Sequence, residues 1–223
     1  MQPALGPTLA TAAAVADIRV GSWVYAAALR QPWINALEAH SLSVLTEGRF
    51  EAGIGAGRPG IETEQGLPQV PLSERRARMR ETVTLLREYD GPDLHTPVVM
   101  AVRGPKTQAL AADVADAATF VIAMDDDRGA ITNQIRDFAT DRNVELVQHI
   151  GIIGDEVAPF MVGPGADTDA LRAADSLLLV PSDPAAIIEE LHRRREEIGF
   201  SYFVFGAKFA DTLAPVVAEL AGR

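Results

Sequence analysis

Residues 47–57 read Glu-Gly-Arg-Phe-Glu-Ala-Gly-Ile-Gly-Ala-Gly, and the reading of this stretch decides the fold. Glu47-Gly48 makes a turn, a short apolar segment follows, and three glycines at 53, 55 and 57 close it. Glycine inside a strand weakens it, so its repeated use points to a backbone that something approaches closely. Arg58-Pro59-Gly60 then stops the strand and starts a loop. A strand ending in a glycine loop is where parallel α/β folds place their ligands. The same spacing suits a buried strand whose small residues admit a packed helix, and the flanks must decide.

Outward from this strand, apolar runs and helical periodicities alternate. Strands are expected at Ile18–Tyr25, Arg49–Gly55, Pro97–Val102, Thr119–Met124, Val144–Ile153 and Tyr202–Phe205. Helices are expected at Thr8–Ala16, Trp33–Leu45, Glu74–Tyr89 with Ser73 as N-cap, from Arg103–Thr107 to Ala115, Arg128–Thr140, Pro184–Ile198 and Phe209–Leu220. Gly154–Ala166 reads as irregular, and Asp169–Ala174 as a helical turn. Such alternation requires parallel strands joined by crossover helices, in about six βα units. An eight-unit barrel is two units longer, so periodicity leaves a barrel and an open doubly wound sheet both standing.

The chain has 223 residues, 48% of them hydrophobic, enough for one large core, and residues 1–223 are read as a single domain. A net charge of −11 argues against nucleic acid or an anionic membrane as partner. There is no cysteine, hence no disulfide or thiol chemistry, and no apolar run of membrane-spanning length. The Ala-rich start lacks a basic region and is interrupted by Pro3 and Pro7, so it reads as a helix and not as a signal peptide. A cytoplasmic protein is expected.

Several segments together resemble the luciferase-like monooxygenase superfamily, especially its actinobacterial deazaflavin-dependent (F-420) oxidoreductase branch. They are Arg19-Val20-Gly21-Ser22 with Val24, Arg30 and Pro32, then Leu42-x-Val44-Leu45-Thr46-x-Gly48-Arg49-Phe50-Glu51-x-Gly53-x-Gly55-Ala56-Gly57. Gly66-Leu67-Pro68, Glu74-Arg75-x-x-Arg78-x-x-Glu81 and Ala214–Leu220 continue the likeness. The resemblance implies a TIM-barrel-type α/β fold that binds FMN or the deazaflavin coenzyme at the C-terminal ends of its strands. It also implies that the first strand here is the family's third, so that the six units are an incomplete barrel. The exposed edge then calls for a homodimer or a displaced N-terminal helix as cover. Departures from the family pattern are Gln31 for His, Ser43 for Asp and Pro181 for Gly, and the linker from Tyr89 to Pro97 is short.

Arg103-Gly104-Pro105-Lys106-Thr107 is the best anion site in the sequence. A helix start offers unpaired N–H groups, Gly104 admits close approach, Thr107 adds a hydroxyl, and Arg103 and Lys106 add charge. An ordinary helix start with solvated basic residues gives the same pattern. In the family, the corresponding junction meets the flavin phosphate. The resemblance further implies that Ser22, Gly55, Ala56, Gly57 and Arg58 lie beside the ring, with Trp23 either facing it or packed in the core. Met100 and Met124 are read as interior fillers at strand ends.

Asp125-Asp126-Asp127 reads as a turn with an N-cap and not as a metal site, since neighbouring loop residues do not converge on one cation. Of His40, His95, His149 and His192, His149 alone stands on a strand as a candidate proton donor, and a satisfied buried histidine is the reading preferred for it. Arg75, Arg78 and Glu81 are expected to pair on one helix face. No catalytic residue is assigned. The function expected is hydride transfer between a deazaflavin or FMN and a small organic substrate. The alternative is a shortened, non-catalytic barrel that binds a flavin-like ligand or serves as a partner subunit.

Overall fold

A computed structural model of the chain describes residues 4–138, 143–158, 162 and 165–222. The expected end of a helix at Thr140, the first three residues, and part of the irregular stretch 154–166 lie outside the described residues. The chain divides into two compact units, one running to Ala118 and the other taking most of the rest.

In the first unit the order is α1 (Leu5–Val15), β1 (Val20–Gly21), β2 (Tyr25–Ala26), α2 (Pro32–Leu45), β3 (Phe50–Gly55), α3 (Ile61–Glu64), α4 (Leu72–Asp90), β4 (Val98–Val102) and α5 (Pro105–Val114). Strand β5 (Ala117–Phe120) begins in this unit and lies next to β4. β3 is the central strand. β1 pairs with it in parallel through Val20 and Phe50, β2 through Tyr25 and Ile54, and β4 through Gly53 and Val99. Phe50, Ala52, Ile54, Val98, Val99 and Met100 are fully or almost fully buried, as expected of strands covered on both faces.

The expected strand Ile18–Tyr25 is thus two short strands with Ser22–Val24 between them, and the Trp23–Val24 peptide is cis. The glycines of β3 explain the break. A Cβ on Gly53 would sit 2.0 Å from the Ser22 carbonyl oxygen, and one on Gly55 would sit 2.7 Å from Val24 Cγ2. What approaches β3 closely is therefore the chain itself. Ser22 Oγ closes the contact by donating to the Gly53 carbonyl at 3.0 Å and accepting the Gly53 N–H at 2.9 Å.

Helix α1 lies against α2 and β1. The Arg49 guanidinium holds its end, donating to the carbonyls of Ala13, Ala16 and Ile18. A cation there also favours the negative end of the helix dipole. The helix expected after Ser73 starts at Leu72 with Pro71 at the cap, so Ser73 is inside it and caps nothing. Proline without an N–H suits a helix start, because that donor would go unused.

In the second unit come α6 (Arg128–Arg136), β6 (Glu145–Ile150), β7 (Ile152–Ile153), β8 (Glu156–Val157), α7 (Thr168–Ala173), β9 (Leu179–Val180), α8 (Pro184–Glu197), β10 (Tyr202–Phe205), one 3₁₀ turn (Ala207–Phe209) and α9 (Ala210–Leu220). β6 and β10 pair in parallel over Val147–Ile150. The single strand expected over Val144–Ile153 is interrupted at Gly151. Its second part joins a small sheet, antiparallel to β8 and parallel to β9. Neither of these two-residue strands is visible to a periodicity count, because two residues carry no period. The strand expected at Thr119–Met124 starts and ends earlier, as β5, and leaves Val121 and Met124 exposed.

Arg194 is fully buried in this unit, with Nη1 on the Leu177 carbonyl at 2.8 Å and Nη2 on that of Leu179 at 2.6 Å. Burial lowers its pKa to about 10, so it stays charged at neutral pH beside Glu190. It fixes β9 to α8 by satisfying carbonyls that a two-residue strand leaves open. Among the described residues, no helix is long and apolar enough to cross a membrane.

Replacing Gly53 with alanine forces a carbon into the Ser22 carbonyl, and we expect a loss of at least about 3 kcal/mol or failure to fold. Gly104→Ala, where nothing lies within 4 Å of the added carbon, should cost no more than about 1 kcal/mol. Urea unfolding midpoints of the two variants measure the difference.

Candidate functional site

The C-terminal ends of β3 and β4 carry the candidate site in the first unit. At the end of β3 the chain passes Ala56 and Gly57, both half-buried, to an exposed Arg58. Gly57 has φ of +87°, and a Cβ there would lie 3.1 Å from Ala28 Cβ, so only glycine serves. Arg58 makes a two-armed ion pair with Glu64 across the short helix α3.

Arg75, from the first turn of α4, organises this loop. Its Nε donates to the Val70 carbonyl at 2.8 Å and its Nη1 to those of Gly57 and Ala56 at 3.2 and 3.4 Å. Its Nη2 pairs with Glu62, which is fully buried and also accepts the Val70 N–H at 3.0 Å. That N–H, then the Arg75 charge, hold the Glu62 carboxyl below its ordinary range. Arg78 pairs with Glu74 at 2.6 Å and donates to the Ala27 carbonyl at 3.3 Å. Its partner on the helix is thus the residue one turn before it and not Glu81. The two arginines together hold the segments that follow β2 and β3.

At the end of β4, Gly104 caps α5 and Pro105 fills its first position. Arg103 and Lys106 are exposed. The Thr107 hydroxyl and N–H both turn back to the Gly104 carbonyl, at 2.9 and 3.0 Å. No side chain caps this helix, whereas Asp127, Asp167 and Asp183 cap α6, α7 and α8 and make those starts hostile to anions. The Asp127 cap is the role expected for the aspartate run. Asp126 accepts the Ala123 N–H at 2.6 Å, and no cluster of metal-binding side chains occurs among the described residues.

Chemically, the residues at α5 fit the phosphate end of a flavin-like group. The N-cap is open, nothing lies within 4 Å of the missing Gly104 Cβ, and the flanking charges are basic. On the side expected to meet the ring, the space at Gly53 and Gly55 is filled by Ser22 and Val24. Ser22 is buried, with its hydroxyl engaged at Gly53. Trp23 beside it is 43% exposed and is therefore no core residue. Met100 is buried as expected of a filler, and Met124, exposed, is not one.

Neither histidine of the first unit stands at these strand ends. His40 pairs with Asp90 and His95 with Asp116, carboxylates that also accept the Thr96 and Val98 N–H groups where β4 begins. In the second unit, His149 lies on β6 with its pKa lowered by burial, so it is neutral at pH 7. Sequence reading missed the Glu62–Arg75 pair. Its signal was available as one of two glutamates in the Ile61–Glu64 turn, 13 positions before an arginine, but only the folded loop joins them.

Residues 6–90 match the luciferase-like monooxygenase family. Over 137 residues the chain is 31% identical to an F420-dependent glucose-6-phosphate dehydrogenase of Beutenbergia cavernae, a match covering 51% of this chain and 41% of that protein. The chain thus spans well under half the length of that curated relative. The fold matches the coenzyme F420 dependent tetrahydromethanopterin reductase of Methanopyrus kandleri with a TM-score of 0.74, covering 98% of this chain and 87% of the other at 15% identity. It matches an F420-dependent secondary alcohol dehydrogenase with a TM-score of 0.70, over 98% and 84% of the two chains at 16% identity.

The depressed Glu62 pKa makes a testable link to acid stability. The folded state releases this proton more readily than the unfolded state, so its stabilisation is complete above the ordinary value of 4.5 and is lost as pH falls through the lower folded value. Glu62→Gln should lower the melting temperature at pH 7 and flatten its fall below about pH 4.5. Thermal melts across pH 3–7 read both effects. Residues 6–90 thus resemble the luciferase-like monooxygenase family in sequence, and almost the whole length shares the fold of the tetrahydromethanopterin reductase.

Proposed function

We propose that the chain binds a deazaflavin or FMN and acts as an oxidoreductase on a small organic substrate. The observation that carries this reading is the open start of α5, basic and uncapped, at the end of a central parallel strand. Arg103, Gly104, Lys106 and Thr107 would hold the phosphate, with the α5 dipole contributing. Ala56, Gly57 and Arg58 border the loop beside it, and Arg75 with Glu62 keeps that loop in place. Ser22 and Gly55 serve by holding the Ser22–Val24 segment against β3. When bound, the ring supplies the hydride chemistry, and the protein's part is to orient it and keep water away.

One observation favours the second reading, a flavin-binding protein without turnover. The first unit's histidines are engaged with carboxylates where β4 begins, and the Ser22 hydroxyl is used internally. No acid or base in this unit is thereby assigned to the substrate.

Absorption titrations with FMN and with the oxidised deazaflavin test both readings. Saturable binding of either, weakened at least about tenfold in the double variant Lys106→Ala, Thr107→Val, supports the phosphate assignment, a loss of roughly 1.4 kcal/mol. Binding followed by oxidation or reduction of the bound group by alcohol or sugar phosphate substrates favours the enzyme. Binding with no redox turnover favours the second reading. No binding of either compound at tens of micromolar overturns both.

A further inference from the structure

Residues Thr119 and Phe120 of β5 belong to the second unit, where β5, β6 and β10 follow one another in the sheet. One face of these strands is covered by helices. The Phe120 ring meets that of Phe138, just past α6, edge-on at 5.5 Å. Ile150, Phe203 and Phe205 pack with Ile187 and Leu191 of α8 and with Leu213 and Val216 of α9. Arg128 of α6 pairs with Glu190 of α8 at 3.3 Å, so the helices lie on the same side. Strand alternation sends Thr119, His149 and Val204 to the opposite face. His149 and Val204 are partners in the parallel register. Each of the three is the next-to-last residue of its strand, close to the end at which parallel α/β sheets take ligands.

Two polar side chains on that opposite face have no hydrogen-bond partner among the described residues. Thr119 is 2% exposed, and its Oγ1 is sealed from water and unpaired. The His149 ring makes no hydrogen bond, and burial is the one cause that lowers its pKa. It is therefore not the satisfied core histidine that its place on a strand suggests. Positions of this kind in parallel sheets are ordinarily filled by Val, Ile or Leu. A buried hydroxyl without a partner costs stability. Buried hydroxyls that serve the fold are answered, as those of Ser22, Thr82 and Thr96 are. Packing accounts for neither Thr119 nor His149.

We infer that this end of the face binds a small uncharged organic ligand through a carbonyl or hydroxyl oxygen held between Thr119 and His149. An oxygen with two lone pairs accepts from the threonine hydroxyl and from the imidazole N–H together. The neighbouring positions select the rest of the ligand. Val147 and Val204 share the face, and Val121, the next position of the same parity past β5, is 43% exposed. No lysine or arginine stands at positions 119, 121, 147, 149, 202 or 204, so a carboxylate or phosphate finds no countercharge there. What the face rewards is an apolar body with one oxygen at the strand ends. The half-buried imidazole is tied by no hydrogen bond, so it can turn to admit the ligand to the sealed hydroxyl. This inference does not rest on the proposed cofactor.

Nuclear magnetic resonance of the whole chain with labelled histidine rings, without any flavin, tests it. The His149 signal is the one missing from His149→Gln. Cyclohexanone and cyclohexanol should move that signal saturably at roughly millimolar concentration, while the signals of His40, His95 and His192 stay in place. Cyclohexanecarboxylate, of similar size but charged, should not move it. Thr119→Val should weaken binding of both neutral probes about tenfold or more, and Thr119→Ser, which keeps the hydroxyl, should retain it. Without ligand, Thr119→Val should melt no lower than the parent, because the lost hydroxyl had no partner. A threonine that served only the fold gives the reverse, a lower melting temperature with binding unchanged. No saturable shift by either neutral probe, a preference for the carboxylate, or undiminished binding in Thr119→Val would each overturn the inference.

Discussion

The contact on which the first unit depends is the one between Ser22–Val24 and β3. At Gly53 the two backbones are so close that a single methyl group is excluded. The Ser22 hydroxyl makes the approach possible, because it answers both the N–H and the carbonyl of Gly53 while buried. A buried hydroxyl without partners would cost stability, and here it supplies two bonds that the interrupted ladder between β1 and β2 lacks. The consequence travels outward. The segment after β2 reaches α2 in the register that lets Arg30 and Tyr25 meet Glu38, and α2 then packs on α4.

A second set of contacts converts this strand packing into a defined loop. Arg75 and Arg78 leave α4 on the side of the strand ends and donate to carbonyls of Ala56, Gly57 and Ala27. These are carbonyls just past the strands, where ladder partners have run out. A planar guanidinium with five donors suits such a cluster better than an ammonium does. The candidate site is therefore framed by groups whose own work is structural. This explains why so few side chains near it are left to act on a ligand.

The distribution of charge separates surfaces by role. Three helix starts in the second unit are closed by aspartates, while those of α1, α2, α4 and α5 carry no side-chain cap, that of α5 lying among basic residues. Helix α1 carries no charged side chain, and the one carboxylate of α2, Glu38, is paired with Arg30. In a chain this acidic, solubility alone would favour more carboxylates at both places.

The sequence by itself determined the alternation of strands and helices, the long helices α2, α4 and α8, the strand β10 to the residue, and the family likeness carried by Arg49–Gly57. Those features are local, written in periodicity or in contiguous motifs. Tertiary structure alone decided what the glycines of β3 are for, since the sequence reading offered only a ligand or a packed helix for the close approach and the chain itself fills it. It also decided that Trp23 is exposed, that Ser73 lies inside its helix, that Arg78 turns to Glu74, and that Ile152–Ile153, Glu156–Val157 and Leu179–Val180 form a small sheet of two-residue strands. Each of these depends on a partner far along the chain or on too few residues to carry a period, and only packing specifies such partners.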